Sequence, residues 1–176
     1  MDIEISELNS YIYENRVENG LCLFYESFLS QWHPAKFVID GIEFKNAEMY
    51  MMWAKNAIFD GRLEKEILLA KHPADCKRLG RRIANFNPDI WNKVAKQFVY
   101  TGNMAKFTQN KDLCVALMQI RNCDKFVECS PTDTIWGIGL DIKDPRCVDE
   151  SQWQGTNWLG EVITDVRNSL SDIYYS

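Results

Sequence analysis

Histidine is scarce in this sequence: His33 and His72 are the only two among 176 residues. They lie far apart, so a zinc hydrolase with histidine ligands, or a nucleophilic triad with a histidine base, lacks its parts. The six cysteines form no C-x-x-C pair and no Cys/His set at zinc spacing. Most sit among apolar neighbours, as in Leu21-Cys22-Leu23 and Leu113-Cys114-Val115, which predicts buried free thiols in a reducing compartment. No apolar run approaches the roughly 18 residues that would span a bilayer. Met1-Asp2-Ile3-Glu4-Ile5 has neither the basic start nor the apolar stretch of a signal peptide. The expected setting is cytoplasmic, with no membrane partner. Positive charge is also in deficit, with 20 Lys and Arg against 25 Asp and Glu and a net charge of −5. This balance argues against a general grip on nucleic acid by phosphate neutralisation, though not against a local basic site.

What is present describes a globular chain. Hydrophobic residues make up 46% and charged residues 26%, near the average for packed domains. The length predicts one domain, large enough to bury a core without staples. Neither repeats nor low-complexity stretches interrupt it. Residues 2–18 read as a short polar helix and Leu21–Tyr25 as a strand. Phe37-Val38-Ile39 and Ile42-Glu43-Phe44 flank Asp40-Gly41, the pair that a type I′ hairpin requires. Helices are expected over 46–59, with Ala47, Met51, Ala54 and Ile58 as a buried stripe, then over Arg62–Lys71, from Pro73 to Ile83, from Asn87-Pro88 to Lys106, and over Asn110–Gln119. Phe126–Cys129 reads as a strand, Ser130–Asp133 as a turn and Asp144–Arg146 as loop. A last helix starts at Thr156 or Asn157, with Leu159, Val162, Ile163, Val166 and Leu170 on one face. Strands and helices are segregated, so the class is α+β: a mainly helical single domain with a small, mostly antiparallel sheet.

Four groupings carry chemistry. Glu48 and Lys55 are seven residues apart, two helical turns, in a row with Met52 and Phe59 about 100° from the core stripe. Partial burial there raises a carboxyl pKa and lowers an amine pKa, which suits acid–base or imine chemistry; the alternative is a solvated pair. Lys77-Arg78-Leu79-Gly80-Arg81-Arg82 stacks like charges at i, i+4, which either hold an anion between them or face acidic partners. Gly80 in mid-helix calls for close approach by a ligand or another element. Asp133 precedes Trp136-Gly137-Ile138-Gly139, a tight turn or a loop whose backbone N–H groups meet a ligand. Gly155-Thr156-Asn157 opens the last helix, whose first-turn N–H groups form an anion or ribose-hydroxyl site unless simply capped. Trp91, on an amphipathic helix, is either a core residue or a stacking platform.

Taken together and in order, Phe28–Pro34, Phe37–Gly41, Asn46–Lys55, Ala74–Arg82, Glu128–Leu140 and Gly155–Arg167 resemble the NADAR family (NAD- and ADP-ribose-associated), which includes riboflavin-intermediate N-glycosidases. The resemblance covers about residues 21–170, leaving residues 1–20 as an N-terminal extension to a domain over 21–176. The blocks A-E-x-Y-M-M-x-x-K, S-P-x-D-x-x-W-G-I-G-L and G-x-N-x-L-G are jointly specific. Gln31 stands in place of the usual Asn of the L-S-N block, and Met49 where a histidine commonly follows the glutamate.

The resemblance implies an α+β hydrolase, without metal or cofactor, that cleaves an N-glycosidic bond to a phosphorylated ribose. The implied substrates are phosphoribosylamino-pyrimidine intermediates of riboflavin synthesis or ADP-ribose on guanine in nucleic acid. Partners are therefore ADP-ribose or another ribose-phosphate small molecule, or ADP-ribosylated nucleic acid. It further implies that Glu48, Lys55 and Asp133 are catalytic, that Arg78 and Arg81 meet phosphate, that Trp91 packs on base or ribose, that Trp136, Gly137 and Gly139 form a loop over the ligand, and that Asn157 meets ribose or phosphate. The alternative is a non-catalytic sensor of ADP-ribose or NAD, which would not need Glu48 together with Lys55.

Overall fold

The computed structural model describes Tyr11 and residues 15–175. In chain order the elements are β1 (Arg16–Glu18), β2 (Leu21–Phe24), β3 (Phe37–Ile39), β4 (Ile42–Phe44), α1 (Ala47–Phe59), α2 (Glu64–Leu69), α3 (Pro73–Gly80), α4 (Pro88–Gln109), α5 (Lys111–Gln119), β5 (Lys125–Glu128), two 3₁₀ turns (Pro145–Val148 and Glu150–Gln152) and α6 (Trp158–Tyr175). The class is α+β, as expected. Two of the three strand pairings are antiparallel, β1 with β2 and β3 with β4, and the third, β2 with β5, is parallel. The described chain separates into two compact units. A middle unit spans Gln31–Asn110; a terminal unit combines the described residues up to Ser30 with those from Lys111 onward.

The terminal unit is built on the sheet β1-β2-β5, in which Cys22 lies beside Phe126. Alternation divides its side chains. Leu21, Leu23 and Val127 join Cys129, Ile138, Leu140 and Cys147 in one core cluster, against which Trp153 packs. Along α6 the predicted stripe holds: Leu159, Val162, Ile163, Val166 and Leu170 are all buried. This helix is tied to β5 at its start. Asn157 takes a left-handed φ of 55°, which asparagine tolerates better than most side chains. Its Nδ2 donates to the Phe126 carbonyl at 3.0 Å and its Oδ1 accepts from the Glu128 N–H at 3.0 Å.

In the middle unit, β3 and β4 form the expected hairpin, with positive φ at both Asp40 and Gly41. Asn46 caps α1, its Oδ1 accepting from the Met49 N–H at 2.9 Å. Here the expected one-sided stripe is corrected. Met49, Tyr50 and Met52 are as buried as Ala47, Met51 and Ala54, while Ile58 is exposed. The first two turns of α1 are enclosed because neighbouring helices come very close. A Cβ on Gly102 of α4 would sit 2.6 Å from Tyr50 Cδ1, and one on Gly80 of α3 would run into Met52 Sδ. The close approach that Gly80 calls for is thus supplied by another element.

Other boundaries differ locally. Arg62–Lys71 shrinks to α2, and α3 ends at Gly80 rather than Ile83. Asp144–Arg146 enters a 3₁₀ turn capped by the Asp144 carboxylate. The helix expected over 2–18 lies mostly outside the described residues, and Arg16–Glu18 is a strand. All six cysteines are free and buried, as predicted. Among the described residues no helix is long and apolar enough to cross a membrane. One core residue had no sequence signal. The α4 stripe Trp91, Ala95, Val99 continues through Gly102 and Asn103 to Lys106, which is fully buried.

Burial lowers the Lys106 ammonium from an ordinary 10.5 to about 7. Between those values the unfolded chain holds a proton that the folded chain has lost, so unfolding free energy rises with pH across that window. The difference in unfolding free energy between the wild type and Lys106→Met is expected to grow in the wild type's favour from pH 7 to pH 10; a flat difference would mean an unshifted lysine. Asn157→Gly keeps the left-handed backbone but strands two buried backbone groups. It should cost about 2–4 kcal/mol in urea unfolding, and a cost near zero would show that α6 does not depend on this tie.

Candidate functional site

Glu48 lies in the first turn of α1, where a carboxylate is favoured by the exposed N–H groups of the helix end. Its own N–H donates to the Gln31 carbonyl at 3.0 Å. The residue is only 4% exposed, so the edge position predicted for it is in fact an interior one. Its charge reaches Cys76 of α3, whose thiol is pushed up to about 11 by burial first and Glu48 second.

Lys55 follows two turns later. Its Nζ donates to the Gly80 carbonyl at 3.3 Å and lies 3.9 Å from the centre of the Phe86 ring. Burial pushes its pKa below the ordinary lysine value, and the Glu48 carboxylate opposes that shift. Phe86 also meets Phe59 edge-to-face at 5.3 Å. Sequence reading did not single out Phe86; its one signal is a large aromatic side chain inside the polar loop Asn85-Phe86-Asn87.

The basic segment differs from the sequence expectation. Arg78 is exposed and bridged to Asp75 at 3.0 Å, three residues back on the same helix. Because α3 stops at Gly80, Arg81 sits at the C-cap and Arg82 beyond it. No continuous helical face carries four cations. Arg81 and Arg82 point outward, exposed, at the negative end of the helix. Trp91 is 7% exposed and stacks on Phe98 with 6.2 Å between ring centres and an 11° angle.

In the terminal unit, Asp133 organises the S-P-x-D turn. Its Oδ1 accepts from the N–H groups of Ile135, at 3.0 Å, and Trp136, at 2.8 Å. Its carbonyl accepts from Gly139, whose φ of +71° closes the loop. A side chain at Gly137 would press on the Glu128 carbonyl at 2.9 Å. Trp136 is half-buried and meets Trp158 edge-to-face at 5.6 Å. The carbonyls of Thr134, Ile135, Trp136 and Gly137 accept from Thr156, Trp158, Leu159 and Asn157 respectively. At the start of α6 the N–H groups of Asn157, Trp158 and Leu159 serve the preceding loop. Asn157, 1% exposed, turns its amide inward onto β5 and ties the start of α6 to that strand.

The structure thus brings Glu48, Lys55, Phe86 and the Gly80-Arg81 corner into one cluster in the middle unit. It gathers Asp133, Trp136, Gly137, Gly139 and Asn157 into one loop–helix assembly in the terminal unit. Among the described residues no group of three or more His, Cys, Asp or Glu side chains is placed to hold a metal ion.

Comparison with known proteins gives these clusters a context. "N-glycosidase R617" of Acanthamoeba polyphaga mimivirus is 38% identical over 170 residues, which span 92% of this chain and 96% of that protein. "Protein irg-1" of Caenorhabditis elegans is 35% identical over 179 residues, 91% of this chain and 84% of that one. The NMR structure of the Escherichia coli protein YbiA shares the fold, with a TM-score of 0.72 and 21% identity over 93% of this chain and 92% of that one. The NADAR domain model matches residues 22–171, a stretch that includes both clusters, and the chain belongs to the NADAR domain family.

Proposed function

We propose that this chain is an N-glycosidase that hydrolyses the bond between a phosphorylated ribose and a base or amino-pyrimidine. The observation that carries the reading is the pairing of a carboxylate only 4% exposed with a lysine whose ammonium is lowered by burial, two turns apart on α1. The name of the mimiviral relative supports the same reaction class.

Departure of the leaving group from C1′ leaves oxocarbenium character on the ribose. A carboxylate held in a dry site stabilises that charge more strongly than one in water. In this reading Glu48 stabilises the cation or activates the attacking water. A lysine with a lowered pKa gives up its proton more readily, so Lys55 protonates the departing nitrogen or forms a transient imine with the ring-opened ribose. In the terminal unit, Asp133 holds the Trp136 loop through its Oδ1. Arg81, exposed and without the helix-borne carboxylate that engages Arg78, takes the phosphate before Arg78 does. Trp91 packs on the base or ribose.

Two substrate classes fit: ADP-ribose joined to guanine in nucleic acid, and phosphoribosylamino-pyrimidines. The net charge of −5 favours recognition of a single extruded nucleotide over a grip on duplex. Glu48→Gln and Lys55→Ala should each lower turnover of the accepted substrate by about 100-fold or more, with melting temperatures close to wild type. Near-normal rates in both variants would remove this active site. Borohydride treatment during turnover should leave a ribose adduct on Lys55 if the imine route operates; its absence assigns Lys55 to proton transfer.

A further inference from the structure

A cavity of about 290 Å³ opens between the end of α5 and the middle of α6 and takes no part in the proposed glycosidase reaction. All of its lining residues belong to the terminal unit. The guanidiniums of Arg121 and Arg167 line it together with Asn122, Asn168 and Ser171, and no carboxylate does. In a chain with a net charge of −5, a wall of that composition runs against the average.

Local structure places both cations. Arg121 and Asn122 lie in the turn between α5 and β5, and Asn122 takes a left-handed φ of 55° there. Arg167 and Ser171 are four residues apart, on one face of α6. Arg167 is held: its Nη1 donates to the Cys123 carbonyl at 2.8 Å, and its guanidinium lies 4.9 Å from the centre of the Phe126 ring. Neither a carbonyl nor a ring supplies a full countercharge. Among the described residues neither Arg121 nor Arg167 is bridged to a carboxylate. Asp124 is turned away toward Gly20, where an added Cβ would lie 3.2 Å from its Oδ2. The carbonyl end of α5 offers about half a negative charge against two full positive ones.

We propose that this cavity is a binding site for a small sugar phosphate. Arg121 and Arg167 take the phosphate. A phosphate monoester has a second pKa of about 6, so at neutral pH it is a dianion and matches two cations. The forked N–H donors of guanidinium fit its oxygens. Asn122, Asn168 and Ser171 supply donors and acceptors for the sugar hydroxyls, and Met118 and Ile120 give apolar ground for its carbons. A polyanion fits less well, because the acidic chain repels whatever extends beyond the cavity. The site shares no residue with the Glu48–Lys55 cluster of the middle unit and does not depend on the glycosidase reading.

The test titrates the full-length protein with ribose 5-phosphate, chosen as a five-carbon sugar monophosphate, and with ribose as the uncharged comparison. Binding is followed by backbone-amide NMR. Shifts are expected at residues 118–123 and 167–171, with ribose 5-phosphate at least about 10-fold tighter than ribose at these amides. Arg121→Ala, at an exposed position outside every helix and strand, should weaken that response by about 10-fold or more. Arg121→Lys should restore part of it, because the charge returns without the fork. Arg81→Ala should leave it unchanged. The proposal is overturned if these amides do not shift, if ribose and ribose 5-phosphate shift them equally, or if Arg121→Ala leaves the response intact. Shifts confined to residues 48–86 also overturn it and place the phosphate at the glycosidase site alone. Loss of glycosidase turnover without loss of the shifts at 118–123 and 167–171 would count against the enzyme reading and leave this site standing.

Discussion

The removal of the Glu48 carboxylate from water is the constraint on which the middle unit turns. A charged group loses several kcal/mol of hydration when it is enclosed, so its surroundings must supply compensation. Part of it comes from position: Glu48 occupies the first turn of a helix capped by Asn46. Two glycines allow the enclosure. Gly80 admits Met52 from one side and Gly102 admits Tyr50 from the other, so α3 and α4 close on the same two turns of α1. The carbonyl of Gly80 then receives Lys55. One backbone position therefore both seals the site and orients its amine.

The terminal unit meets a different requirement. The S-P-x-D-x-x-W-G-I-G loop leaves a run of carbonyls, and the start of α6 leaves a run of N–H groups. Joining the two sets satisfies both without external ligands. Asp133 at one end and Asn157 at the other fasten the arrangement, each with two hydrogen bonds to backbone N–H or carbonyl groups. Rigid presentation of Trp136 is the consequence that bears on function.

Much of this was legible in the sequence. Asp40-Gly41 identified the hairpin, Asn87-Pro88 the start of α4, and the apolar periodicity of 159–170 the buried face of α6. The Glu48–Lys55 spacing was legible too. Its burial was not, because helical periodicity counts side chains on one helix and is blind to neighbours that approach through Gly80 and Gly102. Lys106 escaped for the same reason: a lysine ending an apolar stripe reads as the polar limit of the face, not as its last buried member. The shared helical face read from the cations at i, i+4 was not legible correctly, because that spacing implies a common face only if the helix continues, and α3 stops at Gly80. The N–H groups that open α6 meet carbonyls 20 or so residues away in sequence, which no local pattern can show.

The central claim is that the dry carboxylate and its amine make this fold a catalyst and not merely a receptor. The most direct measurement follows, by mass spectrometry, release of the base from guanine-linked ADP-ribosylated DNA and from the phosphoribosylamino-pyrimidine. Titration calorimetry with ADP-ribose runs in parallel. Release of base from one of the two substrates by the wild-type chain is the predicted result. Tight binding of ADP-ribose with no release from either would contradict it and leave a sensor module in its place.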